Sequence, residues 1–132
     1  MVNEITQLMN KLFLIIGSIT GALSVMIGAF GAHALKQRLE ATGRAAVFET
    51  AVKYQFYHAL ALVLLGILIL KMENNRMLDY AGYAFTAGIV IFSGSLYILC
   101  LTNVGKWGAV TPFGGLALIA GWALMLIGIL KA

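Results

Sequence analysis

The chain has 132 residues, of which 61% are hydrophobic and 11% charged, with a formal net charge of +4. Soluble domains are about 45–50% apolar and about 25% charged, and a fold this small has too little interior to bury the excess. The mean hydropathy of +0.95 therefore excludes an ordinary soluble domain, and positive charges spread over the loops predict no nucleic-acid partner.

Four long uncharged stretches predict four membrane-spanning helices. They cover residues 12–35, 54–70, 80–101 and 110–130. A spanning helix needs about 17–25 residues, and no run of alternating polarity indicates the strands of a barrel. The fold class is therefore all-α, an integral membrane four-helix bundle with both termini on the same side. The sequence predicts one domain over residues 11–132, preceded by a flexible N-terminal extension at residues 1–10.

The first loop, residues 36–53, has helical features of its own. Gly43 can adopt the left-handed conformation that ends a helix, here an extension of the first span. From residue 44 onward, apolar side chains recur at helical spacing, and Glu49 precedes Lys53 by four residues in the favourable order. The second span should therefore begin with an amphipathic lead-in from residue 44 that lies at the membrane interface.

Small residues predict which helices pack closely, because helices in lipid associate by close approach. They form seams on the first, third and fourth spans: Gly17, Gly21, Ser24, Gly28 and Gly31; Ala81, Ala84, Gly88 and Ser95; and Gly114, Ala117, Gly121 and Gly128. The second span is rich in leucine, so we expect it to be peripheral or to meet a partner chain. Gly17-x-x-x-Gly21 has an alternative interpretation as a homodimer contact.

Polar side chains concentrate toward the first-loop end of the predicted bundle. The two histidines, His33 and His58, flank this loop, which predicts similar depths for them in the membrane. Polar groups at membrane depth are rare and often functional. The candidate ligand-binding residues are His33, Tyr54, Tyr57, His58, Tyr97, Lys106 and Thr111.

Three interpretations of this polar end remain open. The histidines can simply form hydrogen bonds between helices. The second interpretation is a shallow pocket for a lipid headgroup, a quinone or a similar amphiphile, with Lys36, Arg38 or Lys106 at its rim. The third is a metal or haem site using His33 and His58, although a catalytic zinc site needs a third protein ligand that the sequence does not supply. No particular cofactor is predicted.

The sequence favours a non-enzymatic protein. It contains no recognisable Ser-His-acid set, no Cys-x-x-Cys and no phosphate loop, and the lone Cys100 excludes an internal disulfide. The apolar surroundings of Cys100 predict a packed thiol rather than a reactive one. The leading hypothesis is binding of a membrane lipid or small amphiphile, or an accessory role for a membrane protein partner. A homo-oligomer is compatible with either role.

The charges alone do not fix the orientation in the membrane. The first-loop side would carry five Lys and Arg residues against four on the other side, a difference too small to decide by the positive-inside rule. The grouping of four of these residues in the first loop favours the cytoplasm for that side.

Four motifs in order resemble the YgdD/YwdK-like family of small bacterial inner-membrane proteins, a domain of unknown function. They are Gly28-Ala-Phe-Gly-Ala-His-Ala-Leu35, Thr50-Ala-Val-Lys-Tyr-Gln-Phe-Tyr-His-Ala-Leu60, Phe92-Ser-Gly-Ser-Leu-Tyr97 and Thr111-Pro-Phe-Gly-Gly115. The resemblance covers about residues 9–131. It implies a four-helix, multi-pass protein of the bacterial cytoplasmic membrane, and it implies no activity and no catalytic residues.

Overall fold

The computed structural model describes residues 2–132, with the side chain of Val2 left outside the description. Within these residues the chain is helical and contains no strand. The α-helices are α1 (Val2–Asn10), α2 (Leu12–His33), α3 (Lys36–Thr42), α4 (Ala45–Lys71), α5 (Arg76–Thr102) and α6 (Thr111–Leu130). A 3₁₀ helix at Gly105–Ala109 precedes α6. The predicted all-α fold class is confirmed.

Four helical segments are long and apolar enough to span a membrane. Their most apolar windows have mean hydropathies between 1.6 and 2.2. Large apolar side chains on the outer faces of α2 and α6, such as Ile19, Phe30, Leu116 and Ile119, are more than half exposed within the chain. This exposure suits a lipid solvent, because an aqueous one would penalise so large an apolar surface.

The first ten residues precede the membrane helices directly. Helix α1 ends at Asn10, and Lys11 alone separates it from α2. The side chains of residues 3–10 are all exposed. The flexibility expected of this extension stays a prediction, as does the placement of both termini on the same side of the membrane.

The first loop forms a short helix between two turns. Helix α2 ends at His33 and α3 begins at Lys36, so the expected continuous extension of the first span is interrupted. Gly43 ends α3 with a φ of 69°, the left-handed conformation that its lack of a Cβ permits. Helix α4 then continues unbroken from Ala45, so the lead-in predicted from residue 44 and the second span are one helix.

The helices pack in chain order, α2 against α4, α4 against α5, and α5 against α6. In their apolar windows, 39% of residues in α4 and 44% in α5 are buried, against 17% in α2 and 22% in the segment that contains α6. Helices α4 and α5 therefore form the centre of the bundle. The prediction that the second span is peripheral was wrong.

Close approach between α2 and α4 explains this correction. A Cβ on Gly17 would lie 2.8 Å from the carbonyl oxygen of Ala59, and one on Gly66 would lie 2.6 Å from Cγ of Leu14. The small residues of α4 are largely alanines, such as the buried Ala51. They do not stand out in a sequence that is rich in leucine. Gly17, assigned to either packing or homodimerisation, is buried within the chain itself.

The predicted close packing of the third and fourth spans is confirmed. Helices α5 and α6 run antiparallel in one register, in which a glycine of one helix receives a large side chain of the other: Gly88 and Leu118, Gly114 and Phe92, Gly121 and Phe85, Gly128 and Leu78. Each glycine thus removes the Cβ that would otherwise hold the helices apart.

Candidate functional site

A buried glutamine connects three of the membrane helices. Gln55 on α4 donates from Nε2 to the carbonyl oxygen of Thr20 on α2, at 2.9 Å. Its Oε1 accepts from the hydroxyl of Tyr97 on α5, at 2.6 Å. Ser93 of α5 adds a 2.7 Å hydrogen bond to the carbonyl oxygen of Ala51 on α4. These bonds satisfy polar groups that would be costly to leave unpaired in an apolar interior.

Both ring nitrogens of His58 have protein partners. Nε2 accepts the indole N–H of Trp122 at 3.1 Å, so the proton of the neutral ring belongs on Nδ1, which donates to the carbonyl oxygen of Tyr54 at 2.7 Å. The ring of Tyr54 stacks on that of Phe92, with 4.6 Å between centroids. His58 thereby supplies the hydrogen-bond partner that an indole N–H within the bundle requires.

The two histidines lie at different depths, contrary to the prediction. Contacts between α2 and α4 follow one antiparallel register: Gly31 with Phe48, Gly28 with Val52, Gly21 with Ala59 and Gly17 with Val63. In this register His58 is level with the neighbourhood of Gly21, about eleven residues from His33, or roughly 17 Å at the rise of an α-helix. Helix α4 begins at Ala45, alongside the end of α2, so the residues assigned to the loop before Lys53 already occupy several turns of this helix. His58 is therefore deeper than its distance from Lys53 suggested.

The predicted site residues separate into several places. Tyr54, Tyr57 and His58 adjoin one another on α4, where the two tyrosines are 40% and 53% exposed. Tyr97, on α5, faces the side of α4 that carries Gln55. The remaining three are His33, exposed at the end of α2, Lys106, exposed in the 3₁₀ helix, and Thr111, whose hydroxyl lies 2.6 Å from that of Ser95. Their proposed role in ligand binding stays a prediction.

The geometry gives the metal or haem interpretation no support. Within residues 2–132, no group of three or more His, Cys, Asp or Glu side chains is placed to hold a metal ion. His58 uses both ring nitrogens inside the protein, and His33 lies near the end of the bundle. Cys100 is buried, as expected of a packed thiol.

A cavity of about 470 Å³ opens at the first-loop end, between α2, α3 and α4. Its apolar lining includes Gly28, Gly31, Ala32, Phe48 and Val52. Its charged residues are Lys36, Glu40 and Glu49. Lys36 is thus the one cation assigned to a pocket rim from the sequence that lines this cavity.

An apolar groove continues from the cavity between α2 and α4. This second space, of about 200 Å³, is lined by Ser24, Val25, Val52, Lys53, Phe56 and Tyr57. Val52 lines both spaces, so they adjoin, and Ser24 and Phe56 lie about one helical turn further from the first loop than Gly28 and Val52. In the sequence, Gly28 and Gly31 indicated helix packing. In the structure they also line the cavity, because the short helix α3 lies next to them.

Most charged side chains near the cavity have partners within the protein. Lys53 pairs with Glu49 at 2.9 Å, as the sequence predicts. Arg38 donates to the carbonyl oxygen of Leu101, and Nε of Arg44 donates to Oδ1 of Asn103 at 2.9 Å. Helix α3 and the start of α4 are thereby held against the end of α5.

A further cavity, of about 650 Å³, lies around the turn between α4 and α5. It is lined by residues 71–77, Lys131 and Ala132. It shares no lining residue with the apolar groove between α2 and α4. The first-loop cavity is therefore the better candidate for an amphiphile, since it offers a polar end and an apolar continuation.

The four apolar helices and their packing define the chain as a multi-pass α-helical membrane protein. Residues 27–115 match the family described as "Protein of unknown function (DUF423)", and the chain belongs to that family. The matched segment includes every residue that lines the first-loop cavity.

Curated relatives carry membrane-protein names. UPF0382 membrane protein SH2409 of Staphylococcus haemolyticus is 45% identical, over 92% of this chain and 97% of the relative. UPF0382 membrane protein YwdK of Bacillus subtilis is 41% identical, over 92% and 98%. UPF0382 inner membrane protein YgdD of Escherichia coli K12 is 39% identical, over 92% of each. The resemblance and the predicted bacterial inner-membrane location are confirmed. No solved structure matches the chain.

Proposed function

We propose that the protein binds a membrane lipid or a lipid-like amphiphile in the first-loop cavity. The observation that carries this proposal is the change of chemistry with depth. Charged Lys36, Glu40 and Glu49 lie at the interfacial end, and the apolar groove past Val52 follows toward the bilayer interior. An amphiphile has the same order of polar and apolar parts, so both could be matched in one bound position.

The volume and position of the cavity support the proposal. About 470 Å³ lies in the range of small-molecule sites. Helix α3 carries both exposed charges and the buried Leu39, which suits a short helix at the membrane–water interface. A headgroup at this level would need no passage into the hydrocarbon core. An accessory role for a membrane protein partner stays a prediction.

A cavity-filling variant with a matched control tests the proposal. Ala32→Phe would place a large side chain in the cavity, whereas Ala29→Phe would place the same side chain on the same helix outside the cavity. The full chain and both variants are purified in a mild detergent and titrated with phosphatidylethanolamine. Native mass spectrometry then counts the bound lipid molecules.

We expect the unmodified chain and Ala29→Phe to retain one lipid beyond the non-specific background, and Ala32→Phe to lose it. Equal retention by all three proteins would show that any specific lipid lies outside this cavity and would overturn the proposal. Thermal melting of each protein checks that the two substitutions leave the fold comparably stable.

A further inference from the structure

We infer that the cavity selects a zwitterionic phospholipid headgroup, with Lys36 facing the phosphate and Glu40 facing the ammonium group. This inference rests on the proposed function and names the chemistry of its ligand. It predicts a preference for phosphatidylethanolamine over phosphatidylglycerol, which shares the phosphate and lacks the ammonium.

Two charged side chains at the cavity, Lys36 and Glu40, have no ion-pair partner within the described residues. Among residues 2–132, the one ion pair is that between Glu49 and Lys53. Lys36 and Glu40 line the cavity, and in this described range neither forms an ion pair with the other. The cavity therefore presents one positive and one negative group that have no charged partner of their own.

The spacing of the pair suits a zwitterion. Lys36 and Glu40 are separated by one turn of α3, which places their Cβ atoms about 5–6 Å apart on one helix face. In phosphatidylethanolamine a two-carbon linker separates the phosphate from the ammonium, so both charges can be met by side chains that reach outward from neighbouring positions. A phosphate also pairs well with a lysine ammonium as a point charge.

The acidic residues at the cavity argue against an anionic ligand. Glu40 and the Glu49 of the ion pair place two carboxylates beside the one unpaired cation. An anionic headgroup without an ammonium would lie next to Glu40 without compensation, and like charges at this distance repel. A purely cationic amphiphile would give Lys36 no negative partner, and Lys36 would repel it.

Competition between two headgroups tests this inference. The detergent-solubilised full chain is mixed with equal amounts of phosphatidylethanolamine and phosphatidylglycerol that carry the same acyl chains. Native mass spectrometry measures the ratio of the two complexes. Glu40→Gln removes the charge at nearly constant shape, and Glu73→Gln makes the same change at the turn between α4 and α5.

We expect Glu40→Gln to lower the ratio by about twofold to fivefold, the range of an exposed ion pair, and Glu73→Gln to leave it unchanged. A second arm uses the unmodified chain with N-acetylated phosphatidylethanolamine, which keeps the phosphate and loses the ammonium. Its affinity should fall by the same factor.

The possible failures are distinguishable. If lipid binds in the cavity and the ratio is the same for the unmodified chain and Glu40→Gln, the headgroup assignment is wrong and the proposed function stands. The same conclusion follows if acetylation of the amine changes nothing. If Ala32→Phe retains as much lipid as the unmodified chain, the proposed function fails and this inference fails with it.

Discussion

Trp122 on α6 donates its indole N–H to Nε2 of His58 on α4, with 3.1 Å between the two nitrogens. Both side chains also pack against Phe85 of α5, whose ring centroid lies 5.1 Å from that of Trp122 and 5.7 Å from that of His58. This contact connects α4 and α6, which have α5 as a common neighbour. It also gives the buried histidine a structural role.

A double-mutant cycle should detect this bond. We expect His58→Phe and Trp122→Phe to be coupled by about 0.6 kcal/mol, and by no more than about 1.7 kcal/mol, the range for hydrogen bonds between membrane helices. The free energy of unfolding in mixed micelles provides the measurement. Trp107→Phe is the control, because Trp107 lies in the 3₁₀ helix and its substitution should add to that of His58 without coupling. Absence of coupling for Trp122 would contradict the assigned bond.

Two neighbouring glycines should differ sharply in their tolerance of alanine. A Cβ on Gly114 would collide with the backbone nitrogen of Phe92, which cannot move aside cheaply, whereas one on Gly115 would lie 3.8 Å from the Phe92 ring. We expect Gly114→Ala to destabilise the bundle by about 1–3 kcal/mol and Gly115→Ala to leave it nearly unchanged. The melting temperatures of the two variants test this, and similar values would refute the close α5–α6 contact.

Tyr97 should stabilise the bundle through the hydrogen bond of its hydroxyl to Gln55. Tyr97→Phe removes the donor to Oε1 of Gln55, leaving a buried acceptor without its partner, which costs about 1–3 kcal/mol. Adding Gln55→Leu should produce less than the sum of the two single effects. Tyr80→Phe, at an exposed position, serves as the control and should change the free energy of unfolding by less than about 0.5 kcal/mol. An additive double variant would disprove the link.

The hypothesis of a metal or haem site has a direct test. Because both ring nitrogens of His58 are engaged and His33 lies roughly 17 Å away along the bundle, we expect protein from metal- and haem-replete cells to contain neither in stoichiometric amount. Visible absorbance and elemental analysis provide the measurement. A haem band that disappears in His58→Ala would require a different arrangement of this histidine.

Several features were accessible from local patterns in the sequence. Uncharged runs of sufficient length identified the four membrane helices, because insertion depends on the composition of each segment. Gly43, with its positive φ, and the Glu49–Lys53 pair follow from rules that act within one or two helical turns. The tight α5–α6 packing was also visible, since both seams contain glycine or alanine at helical spacing.

The arrangement of the helices was decided by contacts between segments far apart in the chain. The alanines of α4, including Ala51 and Ala59, make the second span central, and composition alone does not tell which face of a leucine-rich helix meets a neighbour. The difference in depth between His33 and His58 likewise depends on how far α2 and α4 slide past each other.

The sequence by itself therefore determined the class of protein, since hydropathy and helix signals are local properties of the chain. Only the tertiary structure decided the candidate site. The cavity exists because α3 folds back beside Gly28 and Gly31 and leaves Lys36 and Glu40 at its edge. The polar groups that the sequence placed in one layer instead lie in interhelical hydrogen bonds or at exposed positions, and none of the seven candidate ligand-binding residues lines this cavity. Helix register and rotation set which side chains meet.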